Sequence, residues 1–314
     1  MSDSATPVPA PAATDLVIGI VNAGSGEGRN AAWVSQVEAA FRRHRLQVRI
    51  SLASSGDQLT ELTREALLAR PKMIIAGGGD GTINAVASML VGTGVTLGVL
   101  PLGTFNHFAK DLRLPLDLEE AIAVIARGQV RAIDVGEVNG QCFLNNSSVG
   151  VYPEFVRFRD AAKRRLRWSK WPAALLATIV GFRRVKFMRL ALELGGRRVE
   201  RETPFLFVSN NEYDLETFHV GARASLEKGE LCLYVGNRLG PLSLLWMVLR
   251  TLAGRHQRGR DFEIFHVKEV LVHSARGRVR VSTDGEIDML DTPLHYRSRE
   301  RCLRVIVPAA TLDA

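Results

Sequence analysis

The chain has 314 residues, enough for two medium domains with a substantial core. Apolar residues make up 46% and charged residues 24%, a globular balance that excludes global disorder and fibrous repeats. Lys and Arg number 41 against 33 Asp and Glu, a formal charge of +8, so an acidic partner is expected: phosphates, nucleic acid or an anionic membrane.

Met1–Thr14 is rich in Ala, Pro and Ser, with one acid, no base and no apolar core. It reads as a disordered tail and not as a signal peptide. Leu16–Val21 is a buried strand ending in a glycine-rich turn, Asn22-Ala23-Gly24-Ser25-Gly26. Asn30–His44 has helical spacing, with Trp33, Val37 and Phe41 recurring at four. Gln47–Leu52 is a second strand and Asp57–Ala69 a second helix. Lys72–Ala76 is a third strand, entering Gly77-Gly78-Gly79-Asp80-Gly81-Thr82; Asn84–Leu90 follows as a helix and Leu97–Leu100 as a fourth strand. This alternation predicts a parallel sheet with helices on its faces.

Beyond Asp134 short β-branched segments follow one another, from Ile133–Val138 and Gln141–Ser147 to Cys302–Pro308. Gly-containing hairpins are expected at Asn139-Gly140 and Gly195-Gly196. The pattern predicts an antiparallel sheet or sandwich, interrupted by helical stretches around Asp160–Gly181 and Pro241–Gly254. The expected organisation is a tail (1–14), an α/β domain with a parallel sheet (15–134), a mainly antiparallel β-sandwich domain with inserted helices (135–308) and a second tail (309–314). A cleft between the two domains is the default ligand site. Cys142, Cys232 and Cys302 are scattered and lack metal-ligand spacing, so they read as reduced thiols. No uninterrupted apolar stretch approaches the ~20 residues of a membrane span.

The strongest local signal is Met73–Asn84, a strand running into three successive glycines that open a helix. Missing side chains let backbone N–H groups close on phosphate oxygens, and a helix N-terminus adds partial positive charge. Asp80 suits a metal ion or a ribose hydroxyl, and Thr82 suits a phosphate. The plainer alternative is a tight turn with Asp and Thr as caps. A Walker loop is excluded, because GxxxxGK[ST] is absent and the loop holds no Lys; GxGxxG is not formed either.

Gly77–Asn84 resembles the nucleotide-binding signature of the diacylglycerol kinase catalytic domain, shared with sphingosine kinases and more distantly with NAD kinases. Val21–Gly26 resembles that family's first-strand turn, and Leu100–Leu112 its P-x-G-T-x-N-D-F-A-R-x-L loop. Asp284-Gly285-Glu286 resembles its late D-G-E motif. The four motifs lie in the family's order, from about Leu16 to Pro308, and are most similar to the bacterial lipid kinases. The resemblance implies an NAD-kinase-like first domain. It implies that ATP is held by Asn22, Ser51 (or Ser54), Gly78, Gly79, Asp80, Gly81, Thr82, Ile83, Asn84, Thr104 and Asn106. Asp80 would also serve the Mg²⁺ that accompanies ATP. Glu286 would accept the proton of a lipid hydroxyl, with Asp284 beside it, since phosphoryl transfer needs an acceptor carboxylate, positioning and charge neutralisation.

Two positions depart from the family. His107 stands where it usually has Asp. Lys228, in Ala224–Leu231, stands where it has the Asp of a structural Mg²⁺ site, and the expectation is that its ammonium takes the ion's place.

Arg157–Arg189 holds eleven Lys/Arg and one acid, Asp160, a local charge of +10 around Trp168, Trp171 and the apolar Pro172–Phe182. Basic residues with interfacial aromatics suit an anionic bilayer surface; the alternative is a solvated, ion-paired helix. No helix-turn-helix, zinc-finger or ribonucleoprotein motif supports nucleic acid. The leading expectation is therefore an ATP-dependent kinase of diacylglycerol or a related lipid, peripheral at the cytoplasmic membrane face. Competing readings are a kinase of a sphingoid base, ceramide or other lipid alcohol, and a non-catalytic nucleotide- or lipid-binding protein.

Overall fold

The computed structural model describes residues 14–26, 29–150, 187–212, 225–237 and 262–309. The expected helical stretches Asp160–Gly181 and Pro241–Gly254 lie outside these residues, as do nearly all of Arg157–Arg189 and of the two tails.

Strands β1 (Thr14–Asn22), β2 (Arg49–Ala53), β3 (Pro71–Gly78) and β4 (Thr96–Pro101) run parallel in the order β2-β1-β3-β4. The two-residue period of β3 splits its side chains between two cores. Met73 and Ile75 pack with Val37 and Phe41 of α1 (Ala31–Arg43) and Ile122 and Ile125 of α5 (Leu118–Arg127). Ile74 and Ala76 pack with Leu59 of α2 (Gly56–Leu68) and Ile83, Val86 and Leu90 of α3 (Asp80–Leu90). Helices therefore cover both faces, as the alternation predicts. Side-chain caps start three of them: Asn30 accepts from Trp33 N, Ser55 from Gln58 N and Asp117 from Glu120 N. Two helices were not expected, α4 (His107–Asp111) and α5. The cue for α5 was present in Asp117 followed by two glutamates and an Ile122/Ile125 pair three apart.

The rest of the described chain is antiparallel sandwich. One layer is a six-stranded sheet in the order β12 (Phe262–Val267), β11 (Leu231–Gly236), β10 (Phe205–Asn210), β7 (Asn146–Gly150), β14 (Arg278–Thr283) and β15 (Glu286–Asp291). The other layer comprises β5 (Gln129–Val138), β6 (Gln141–Phe143), β8 (Met188–Leu194), β9 (Arg197–Thr203), β13 (Glu269–Ser274) and β16 (Leu294–Val307). Tyr296 is fully buried between them, its hydroxyl 3.0 Å from Ser147 Oγ and its ring edge-on to Phe143. Arg201 of β9 closes one border with two 2.9 Å bonds to Glu263 of β12. The tight turns Asn139-Gly140, Gly195-Gly196 and Asp284-Gly285 all have both central residues at positive φ, as two-residue hairpins require. The expected strand Gln141–Ser147 is instead two strands, β6 and β7, in different layers. The break falls at Leu144-Asn145, whose amides are drawn onto the Asp284 carboxylate. Burial raises the pKa of the Cys142 thiol and pushes Cys302 up to about 11, so both are protonated thiols at neutral pH.

The two halves share one sheet. β5 pairs along nearly the whole of β16, whose opposite edge carries β13 near its start and β4, in parallel, near its end. The change in residue pattern at Asp134 falls inside β5. Opposite Asp134, β16 bulges between Arg299 and Leu303, with Arg301 at positive φ. The buried Asp134 carboxylate accepts from Arg301 N at 2.9 Å, Gly229 N at 2.6 Å and Asn211 Nδ2 at 3.5 Å. Its peptide carbonyl accepts from Asn210 Nδ2 at 2.8 Å. Asp134→Ala strands at least two buried amides at 1–3 kcal/mol each. A loss of about 3 kcal/mol is expected in urea unfolding; an unchanged midpoint would show that the bulge holds without the carboxylate.

Candidate functional site

In a sheet ordered β2-β1-β3-β4, connections leave in opposite directions from β1 and β3. Ligands of such sheets bind at this switch point, beyond the carboxyl ends of the strands. The glycine cluster lies there. Asn22, the last residue of β1, donates from Nδ2 to Thr82 Oγ1 at 3.1 Å and accepts from Gly24 N at 2.9 Å. One amide thus fastens the first turn to the first turn of α3.

The loop packs by backbone. A Cβ on Gly103 would come within 2.5 Å of the Gly79 Cα, and one on Gly78 within 2.5 Å of Thr82 Cβ. Leu102 N donates to Gly78 O at 3.0 Å. The buried Asn106, at φ +50, accepts from Gly103 N at 3.0 Å and donates to Gly103 O at 2.9 Å. Asn106 therefore moulds the turn and leaves no cap for α4. Asp80 supplies that cap from α3, accepting from Phe108 N at 3.2 Å through Oδ1. Helix α3 itself begins at Gly79 without a side-chain cap, a full turn before the predicted Asn84 start, and its first N–H groups face outward from the helix end. Gly81 faces open space, Thr104 is exposed, Ile83 is core, and Asn84 Oδ1 is buried with no partner among the described residues. Ser51 lies within β2 opposite Ile20, short of its carboxyl end; Ser54, at that end, is bound to Gln58 Oε1.

The D-G-E motif is the β14–β15 turn. Asp284, at φ +47, accepts from Leu144 N at 2.7 Å and from Asn145 N and Asn146 N, both at 2.9 Å. Leu144 belongs to the same hydrophobic core as Ile83 and Phe108, so the turn and the glycine loop are anchored in one packed body. Glu286, which follows, is exposed.

His107 is also exposed and stacks on Phe105 with centroids 5.7 Å apart and planes 6° from parallel. The position carries an aromatic surface in place of a carboxylate. Lys228 does not behave as expected. Its peptide N–H bonds Asn211 Oδ1 at 3.1 Å, while its ammonium lies 4.0 Å from Glu212 Oε2 with the side chain 48% exposed. The neighbouring buried acid, Asp134, is satisfied by amides, so the ammonium reaches outward and fills no interior ion site. Among the described residues no group of three or more His, Cys, Asp or Glu converges as a metal site. A groove of about 910 Å³ beside Glu193, Arg198, His266 and Lys268 contains none of these motif residues.

Gly103→Ala tests the loop packing. The added methyl meets main chain, which has nowhere to rotate, so the loop must open or the fold must strain. Overpacking of this kind costs about 1–3 kcal/mol. A lower melting temperature is expected; a wild-type melting temperature in calorimetry would mean that the close approach is dispensable.

Residues 17–138 match the model of the diacylglycerol kinase catalytic domain, and residues 147–307 match the YegS C-terminal NAD kinase beta sandwich-like domain. A diacylglycerol kinase of Bacillus subtilis is 37% identical over 140 residues, 44% of this chain and 46% of the relative. A probable lipid kinase YegS-like of Yersinia pestis (strain Pestoides F) is 41% identical over 109 residues, 33% of this chain and 36% of the relative. The matched stretches thus span less than half the length of these relatives. The fold is that of a putative diacylglycerol kinase from Bacillus anthracis str. Sterne, with a TM-score of 0.73 at 22% identity over 93% of this chain and 97% of that one. With both halves matched in order, the chain belongs to the diacylglycerol kinase/YegS-like lipid kinase family.

Proposed function

We propose that this protein is an ATP-dependent lipid kinase that transfers the γ-phosphate to a hydroxyl of diacylglycerol or a related lipid. One observation carries the reading: an uncapped helix start and a glycine-on-glycine loop at the switch point share a core with a turn that presents a free carboxylate. The glycines and the first turn of α3 suit a nucleotide's phosphates, with Thr82 and Thr104 as hydroxyl donors. The unpartnered Asn84 Oδ1 beside them fits a ligand group with N–H or O–H donors. When bound with ATP, Mg²⁺ supplies charge neutralisation. Asp80 is the carboxylate that fits it, through the oxygen that Phe108 leaves free, with phosphates and water completing the shell.

Glu286 is the group free to accept a proton from the lipid hydroxyl. Asp284 is committed to three amides and acts as a positioning residue. Glu286→Gln keeps the shape but not the basicity, and loss of a general base costs ~10²–10⁴-fold in kcat. ATP affinity should change little. Asp284→Asn should lower stability along with activity, because its NH₂ meets amide donors. A normal kcat in Glu286→Gln beside an inactive, well-folded Asp284→Asn would reverse these roles. ATP consumption against a panel of lipids in mixed micelles, with products identified by mass, separates diacylglycerol from sphingoid bases and ceramide. Consumption with none of them favours a binding protein without turnover.

We place the protein at the cytoplasmic face of an anionic membrane through Arg157–Arg189. Among the described residues no helix is long and apolar enough to cross a membrane. Each basic residue near an anionic surface contributes about 1 kcal/mol, fading within a Debye length. Replacing Lys163, Arg164, Arg165 and Arg167 with Gln should release the protein from anionic vesicles, as should high salt. Unchanged cosedimentation would count against this surface.

A further inference from the structure

The glycine loop contains no lysine, so the positive charge a triphosphate needs must come from elsewhere. Arg29 is placed to supply it. Its Nη1 lies 3.4 Å from Asn22 O at the end of β1, and its Nη2 lies 3.4 Å from Leu102 O, just past β4. Those strands flank β3, so the guanidinium lies across the carboxyl end of β3, where the glycines begin. Trp33 holds it from α1, with the guanidinium carbon 5.4 Å from the ring centroid. Gly26, at φ +116, leaves it room: a Cβ there would come within 2.9 Å of Nη2.

The arrangement is unusual for an arginine. Both hydrogen bonds are at the long limit and reach only neutral carbonyls. Among the described residues no carboxylate pairs with Arg29. Burial lowers its pKa, the sign of a charge that has lost water without gaining a counter-ion. A partly desolvated cation left unpaired is costly, and an anionic ligand at the same site removes the cost. The planar fork matches phosphate oxygens in a bidentate manner.

From this geometry we infer that Arg29 is the phosphate-binding cation of the site, receiving the nucleotide's phosphates in the role that a loop lysine fills in other phosphate-binding loops. The inference rests on the nucleotide reading above and goes beyond it by assigning the charge to the β1 turn.

The test uses the full chain, with ATP and inorganic tripolyphosphate as probes in titration calorimetry. Arg29→Gln should weaken both by about 10- to 100-fold, the worth of a hydrogen bond to a charged group. Unliganded melting should be unchanged. Arg29→Lys should recover part of the affinity, since it restores charge without the fork. A second readout needs no variant at Arg29: tripolyphosphate should alter the Trp33 emission of the wild type, and the change should vanish in Trp33→Phe. Equal ATP affinity in Arg29→Gln overturns the inference. So does a wild-type Trp33 signal indifferent to tripolyphosphate while ATP still binds. If the wild type binds neither probe, the nucleotide reading itself fails and Arg29 falls with it.

Discussion

At the seam of the molecule, the carboxylate of Asp134 gathers amides from Gly229, Arg301 and Asn211, and its peptide carbonyl receives Asn210. These partners come from three places in the sequence and meet at one bulge. The bulge lets β16 change neighbours, from β13 in the sandwich to β4 in the parallel sheet, without ending. Both halves are oriented by this strand, and so are the glycine loop on one side and the Asp284 turn on the other. Nearby, buried Glu137 accepts from Arg297 and Arg299 of the same strand, adding charge to a seam otherwise built from amides.

The same device recurs at the site. Asp80, Asp134 and Asp284 each accept main-chain N–H groups from segments remote in sequence. A carboxylate used this way caps a piece of chain that has no cap of its own, and it fixes the angle between two elements. Each such acid is partly or wholly removed from chemistry by that work. Among the described residues, Glu286, exposed beyond the hairpin, and the second oxygen of Asp80 are not engaged in this way. The glycine loop is made differently, by absence of side chains: Gly79 and Gly103 touch backbone to backbone, and no other residue at position 103 preserves that approach.

Much of this was legible in the sequence. Apolar runs and helical spacing marked β1 to β4 and α1 to α3 to within a few residues, apart from the start of α3. The dipeptides Asn139-Gly140 and Gly195-Gly196 marked two of the hairpins. The motif order marked the family. What sequence could not reveal were relations across long separations. Nothing local in Gln141–Ser147 says that Asp284 will split it, and nothing in Cys302–Pro308 says that its strand extends back to Leu294 and serves both halves. Lys228 looked like an interior cation because its neighbours were unknown; two of the amides that satisfy Asp134, Gly229 N and Arg301 N, belong to the backbone and leave no mark in the sequence. Arg29 was overlooked because it stands outside the glycine loop, and only the folded sheet brings the β1 turn across β3.

The sharing of β16 also orders events during synthesis. β4 presents an open, apolar edge until Arg304 and Val305 arrive beside Thr96 and Leu97. β5 likewise waits for a partner more than 150 residues downstream, at Val130 opposite Ile306. Contacts of such separation slow folding and leave unpaired edges exposed meanwhile. The N-terminal half is therefore not a module that matures on the ribosome ahead of the rest. A chain interrupted before Leu294 would carry its glycine loop on an unfinished sheet, and that edge would be its point of aggregation.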